Sequence, residues 1–534
     1  MPPEVHAKPA KKSRLIPISS IALLLISSQL VGQVLGFLRT KMVANNFPTT
    51  GPQSTDAYFA AFNIPDFFFF TLAAGALGVA FMPVLSDHLA RGDRKGMWQL
   101  SASLMNLLSM VMLGVAVIII VFAEPLIHYI VAPKLTGANL DNAVTIMRLL
   151  AFNPLLFTLS GVLTATQQTL GRFFFYAIAP LFYNLAIIVS ILVFRHNIGI
   201  VGLGIGALVG GIIQLLVVIV GLQGLNFHWR PKILWGSKDF RTILRNLPPR
   251  SIDQGIDQIE NIVETNIANH IRAGYVSYYN YAYTLATAPI LLIGSAISTA
   301  AFPRLNMRLS QGRPDLFRRD FLMVLRAIIW ITMPVAVICY FARGYLARII
   351  FGSDAPEIAV IFGFLTTAIV FRTIYTIISR WFYAQKDTVT PLIISIFTIG
   401  LNIFLAYTLS RPTSYGVVGL AIAQSLVAAF EVIILFVIMV IRDHKLLDGA
   451  FFGGVGRILS VTGFSIVAGA TVASVLPLGV NDKGYTVLGT KLLVITAVVF
   501  TVHITVSALF GLDEVKPVFR RLKQFILKPI RVQF

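Results

Sequence analysis

Cysteine is almost missing from this chain: there is one, Cys339, in 534 residues. It lies inside an apolar run, which excludes both a disulfide framework and a cysteine metal site. Histidine is sparse as well, with eight scattered residues and no His-x-x-x-His or other ligand spacing. Charge makes up only 12% of the chain, and acidic charge is the scarcer sign, 23 Asp and Glu against 43 Lys and Arg. No stretch stays polar for long enough to fold as a soluble domain. No nucleophile–base set or ATP cassette can be assembled, so neither an enzyme nor a cofactor is expected. Gly202, Gly206 and Gly210 look like a nucleotide loop only superficially. They recur every fourth residue in an apolar helix, the spacing of close helix packing. The net charge of +20 would suggest a nucleic-acid partner only if the cations formed one patch. They are dealt out among loops instead.

What fills the chain is apolar: 56% of residues are hydrophobic and the mean hydropathy is +0.80. About fourteen stretches follow one another, each long enough to cross the ~30 Å hydrocarbon core of a bilayer. They read as 16–37, 57–86, 101–123, 144–168, 173–194, 199–224, 251–271, 277–303, 322–342, 357–383, 389–409, 416–441, 455–477 and 487–511. Lys8, Lys11, Lys12 and Arg14 before the first run resemble a signal peptide. No small-residue cleavage site closes that run before Gly36, so a retained helix is expected.

Orientation follows from the cations. Arg91, Arg94 and Lys95, the stretch Arg230–Arg250, the cluster Arg304–Arg319, and Arg442 with Lys445 all fall on one side, together with both tails. That side collects roughly thirty cations against about nine on the other, and cytoplasmic loops are the ones enriched in Lys and Arg. Both termini are therefore expected in the cytoplasm of a bacterial cell, with the chain in its inner membrane.

Two stretches about 220 residues apart resemble each other, as internal transporter repeats do. Ala80–Leu85 with Leu89 and Gly92 matches Ala301–Leu305 with Leu309 and Gly312, and Gly199–Gly206 matches Gly416–Ala423. The expected architecture is an all-α polytopic membrane protein of two six-helix bundles in the same topology, related by a parallel pseudo-two-fold axis, plus two C-terminal helices. The boundaries are a basic N-terminus 1–15, a first bundle 16–225, a basic linker 226–250, a second bundle 251–442, the final pair 443–511 and a basic tail 512–534. Such halves place a substrate site between them and rock to alternate its access.

Charges inside spans are costly and mark function by default. Asp253, Asp257, Glu260 and Glu264 fall at spacings of four, three and four on the seventh span, one helical stripe. A stripe of carboxylates must face a wet cavity or cationic partners; alternatively, Asp253 and Asp257 sit on a cytoplasmic extension near Arg245 and Arg250. The second span opens with Asp56 and carries Asn63, Pro65 and Asp66, where the polar side chains can satisfy backbone groups freed by proline. Arg39 and Arg372 lie where an anionic headgroup could meet them, since a guanidinium fork matches phosphate geometry. For Arg372 an ion pair with Glu431 is the competing reading.

Val34–Arg39 followed by Thr55–Pro65 resembles the MurJ/MviN family of lipid II flippases. Phe81–Leu85, Tyr278-Tyr279 with Pro289, and Phe382–Pro391 add to the likeness, as does Gly75-Ala76. The resemblance implies the multidrug/oligosaccharidyl-lipid/polysaccharide exporter fold. It also implies a cavity for a pyrophosphate–sugar–peptide headgroup lined by helices one, two, seven and eight, and a polyprenyl-tail groove on helices thirteen and fourteen. Cavity residues carried over are Arg39 and Asp56, with Asn63, Asp66, Glu260, Thr284 and Arg372 beside them. A carboxylate-lined Na⁺ or H⁺ coupling site is implied on helix seven at Glu264, with Asn402 of helix eleven; a salt bridge from Glu264 to Arg39 or Arg372 is the alternative. The family typically has arginines at four cavity positions, one of them a double arginine, and only Arg39 is kept. Gln33, Phe69-Phe70 and Thr284 stand at the others, and Ala74 replaces a glutamate.

The function expected is translocation of lipid II by a monomer, with membrane lipids and cell-wall synthesis proteins as its partners. A flippase of another polyprenyl-linked oligosaccharide, or a cation-coupled multidrug antiporter of the MATE type, would be the alternatives. The second is disfavoured by the two extra helices.

Overall fold

The computed structural model describes residues 18–517 apart from 75–80, 412, 480, 481 and 483, and leaves aside some helical side chains, including those of 248–254. The tails 1–15 and 518–534, Gly75-Ala76 and the Asp253 side chain therefore lie outside the described residues. Every regular element among those described is helical.

The first half comprises α1 (Ile18–Asn46), α2 (Thr55–Phe69), α3 (Met82–Ala90), α4 (Arg94–Pro125), α5 (Ala138–Leu150), α6 (Asn153–Thr169), α7 (Phe174–Phe194) and α8 (Val201–Val220). The second comprises α9 (Lys238–Ile271), α10 (Tyr275–Pro289), α11 (Ala296–Ser310), α12 (Pro314–Phe341), α13 (Arg343–Phe351), α14 (Ala355–Ala384), α15 (Val389–Leu409) and α16 (Val418–Arg442). The pair α17 (Gly449–Val475) and α18 (Tyr485–Leu509) follows. Ile119, Ile146, Ile187 and Leu203 bury one core in the first half; Tyr281, Ile358, Phe362 and Leu420 bury another in the second. Trp330 of α12 donates to Ser507 Oγ of α18 at 2.9 Å, which ties the final pair to the body.

Eleven helices among the described residues are long and apolar enough to cross a membrane. Three expected spans do not enter that number. One is α1; another is the second span, part of which lies outside the described residues. The third is α9, whose hydropathy is lowered by its carboxylates and amides.

Two features add to the outline read from the sequence. Within the second span, α2 gives way to a π-helical turn, Phe70–Ala74. Its repeat partner behaves alike, α10 giving way to a π turn at Ile290–Ser295. The two turns stand about 220 residues apart, the spacing of the sequence repeat, and π turns concentrate at functional sites. The basic linker 226–250 is partly helical and packed against the first half. α9 already begins at Lys238, Phe240 and Ile243 are buried with Met97 and Trp98, and Asn106 of α4 donates to the Arg230 carbonyl at 2.7 Å. His88 clasps the same junction, 2.9 Å from both Asp93 and Asp239.

The Lys386–Pro391 stretch, part of the family likeness, makes a tightly hydrogen-bonded start to α15. Lys386 takes φ +62°, and Asp387 Oδ1 accepts from the amides of Val389 and Thr390, both at 3.0 Å. Arg442 also donates to Asp387. Partial burial pushes this carboxyl up, but the Thr390 amide and hydroxyl and Arg442 outweigh it and hold it at about 2. Its folded value lies below the ~3.9 of a free aspartate, so its contribution is full above that pH and lost as pH falls through 2. Asp387→Ala should lower stability in detergent by about 1 kcal/mol at neutral pH, the worth of a helix cap. Thermal melting should show the gap from wild type closing between pH 4 and 2; a constant gap would refute the assignment.

Candidate functional site

Between the halves lies a cavity of 420 Å³. α1 brings Arg39 to it, and α2 brings Asn63 and Asp66. Pro65 interrupts the hydrogen-bond ladder of α2 without stopping it. Asn63 Nδ2 donates to the carbonyls of Phe59 and Ala60 at 3.1 and 3.4 Å, not to that of Ala61, the one four residues before the proline. α9 contributes Gln258, Asn261, Glu264 and Thr265. Thr265 donates to Asn63 Oδ1 at 3.5 Å, the edge of hydrogen bonding. Arg39 is the one cation among the lining residues described. Phe69 and Phe70, where the family usually has arginines, line the wall with Phe157, Tyr183, Tyr279 and Tyr283. A single guanidinium against an aromatic wall can hold one anionic group and stack flat faces beside it.

The other expected residues are elsewhere. Thr284 turns its hydroxyl back to the Asn280 carbonyl at 2.8 Å and does not line this cavity. Asp56 is buried at 1% exposure, outside the cavity. Its Oδ2 accepts from the Gly274 amide at 2.6 Å, and its Oδ1 from the Ser277 amide and hydroxyl at 2.8 and 2.6 Å. Gly274 stands at the N-cap of α10 with φ +91°, a left-handed conformation open to glycine, and offers no side chain to cap the helix. Asp56 supplies that cap from the opposite half.

Other bonds gather at the same end, away from the basic loops. Thr55 pairs with Ser277 at 2.7 Å, Thr49 donates to Asp354 at 3.0 Å, and Asn269 accepts from the Lys134 amide at 2.7 Å. The halves are laced together there, above the cavity.

The acidic stripe of α9 divides. Glu264 lines the main cavity, whereas Asp257 and Glu260 face a second one, 220 Å³, inside the second half with Arg372, Ser395 and Glu431. Arg372 pairs with Glu431 at 3.2 Å, and its other nitrogen donates to Gln424 Oε1 at 3.2 Å. So the ion-pair reading of Arg372 holds, and it does not reach the main cavity. Removing one member of such a pair strands the other, the costly case in a low dielectric.

Glu260 and Glu264, 7% and 4% exposed, join the two cavities. Gln424 Nε2 donates to both, at 2.7 and 2.9 Å. Asn402 Nδ2 donates to both as well, to Glu264 at 3.2 Å. The Oδ1 of Asn402 is buried without a hydrogen-bond partner among the described residues. Sequence reasoning paired Glu264 with Asn402, but it placed Glu260 in the headgroup cavity and missed Gln424. A glutamine in the middle of an apolar helix was signal enough, by the rule that flags charges in spans.

Comparison with known proteins gives a consistent picture. The family model described as "Lipid II flippase MurJ" matches residues 51–499. A probable lipid II flippase MurJ of Bdellovibrio bacteriovorus is 26% identical over 482 residues, covering 84% of this chain and 89% of that protein. The lipid II flippase MurJ of Burkholderia cenocepacia is 26% identical, covering 70% and 75%. Among solved structures, a lipid II flippase MurJ in an inward closed conformation superposes with a TM-score of 0.75 at 21% identity, covering 92% of this chain and all of that one. An inward-facing MATE multidrug transporter superposes with a TM-score of 0.66 at 14% identity, covering 80% and 98%.

Proposed function

The chain belongs to the MurJ family of lipid II flippases, and we propose on that basis that it moves lipid II across a bacterial inner membrane, both termini in the cytoplasm, by alternating access to the cavity between its halves. The observation that carries this reading is the placement of Arg39, Asn63, Asp66 and Glu264, from both halves, around one cavity. Arg39 would hold the pyrophosphate, and the aromatic wall would take the sugar faces by stacking. The exposed apolar faces of α17 and α18 would carry the polyprenyl tail. In cells depleted of their own flippase, this chain should restore lipid II to the outer leaflet. Membrane-inserted protein that restores none would remove the reading.

Coupling would lie at Glu260 and Glu264. Two buried carboxylates share the same two amide donors, and Arg372 is already engaged by Glu431. Buried charge of that kind needs a proton or a cation to balance it. The partnerless Asn402 Oδ1 and the carboxylate oxygens make an all-oxygen donor set suited to Na⁺. Glu264→Gln should keep the protein folded and remove most of the response of transport to Na⁺ or membrane potential. Full retention of that response would make Glu264 structural.

A further inference from the structure

A groove of 690 Å³ runs between α9 and α15, outside both cavities described above. We propose that it is a binding site for an anionic diacyl phospholipid of the leaflet away from the basic loops. Its walls are Val263, Ile267 and Ile271 on one side and Ile403 and Phe404 on the other, with Gly400 at its inner end. A Cβ at Gly400 would meet nothing within 4 Å, so the floor is open there. From Gly400 to Leu409 the groove follows α15 for about 14 Å at 1.5 Å per residue, with Ser410 and Arg411 just past the helix end. That is about half of a ~30 Å hydrocarbon core, the depth of one leaflet.

The polar groups collect at one end, where a headgroup would sit. Arg411 has no carboxylate within salt-bridge distance among the described residues; its guanidinium lies 5.8 Å from the Tyr407 ring centroid. His270 Nδ1 bonds the Asn266 carbonyl at 2.9 Å, which leaves Nε2 for a ligand. Ser410, only 2% exposed, lines the same end, and its Oγ has no hydrogen-bond partner among the described residues. A buried hydroxyl without a partner is costly, and a phosphate oxygen would satisfy it. An unpaired guanidinium, an imidazole and an unsatisfied hydroxyl above apolar walls match a phosphate with two acyl chains below it. The occupant would touch the two helices that carry Glu264 and Asn402, so its presence would set their spacing.

The test uses the full chain in vesicles. Phe404→Trp places a fluorophore in the groove, and none of the native tryptophans lines it. Brominated phosphatidylglycerol should quench the added emission at about a fivefold lower mole fraction than brominated phosphatidylcholine, the ratio one cation gives near an anionic surface. Arg411→Gln should erase that preference, and Gly400→Leu should reduce quenching by both lipids. Lys491→Gln, a cation at the same end paired with Asp482, should leave it unchanged. Equal quenching by both lipids, or equal loss in Lys491→Gln, would overturn the proposal, as would displacement of phosphatidylglycerol by a polyprenyl phosphate at low mole fraction. Brominated lipid occupies both leaflets, so the outcome does not depend on the orientation proposed above.

Discussion

Arg39→Ala should abolish the rescue of lipid II export while leaving the protein at near-normal level in the membrane. Arg39 is the one cation among the described residues lining the cavity, so nothing else there replaces it. Charge-assisted, bidentate contacts to a phosphate are the strong hydrogen bonds of a binding site, and losing them costs about a hundredfold in affinity. Arg39→Lys keeps the charge and loses the fork, so it should recover part of the activity, not all of it. Full rescue by Arg39→Ala would show that the pyrophosphate is held somewhere else.

Asp56→Ala should have an effect of similar size by a different route. The carboxylate holds the start of α10 by three hydrogen bonds reaching across from α2. Removing it leaves buried donors without acceptors, at about 1–3 kcal/mol each. That cost falls only on the state in which the halves meet at this end, so the equilibrium should move toward the state open there. Labelling of a cysteine placed at Asn63 by an impermeant reagent should rise severalfold in Asp56→Ala cells, with transport lost. The background is favourable, because the one native thiol, Cys339, is buried. Unchanged labelling together with normal transport would make the cap a local packing detail.

Long apolar runs and alternating cations give away a membrane fold, since a bilayer imposes both. The repeat was legible too, down to the glycines at Gly92 and Gly312, which take φ +76° and +66° at matching turns. Asp56 was legible as important but not as a cap, because its partner lies more than two hundred residues away and a helical period says nothing about remote contacts. The stripe on α9 showed its spacing, yet an α-helix wide enough to touch two cavities splits such a stripe between them. Glu264 therefore went one way and Glu260 the other. The π turns were invisible because a hydrophobic pattern records which residues are apolar, not where the hydrogen-bond ladder slips.

If this chain alone carries the lipid II headgroup through the cavity at Arg39, purified protein should do so in vesicles loaded with labelled lipid II, with the headgroup read by a membrane-impermeant reagent. Wild type should exchange lipid II between leaflets far faster than protein-free vesicles, and Arg39→Ala should fall to the protein-free rate. Wild-type vesicles no faster than empty ones, or an Arg39→Ala protein as fast as wild type, would contradict it.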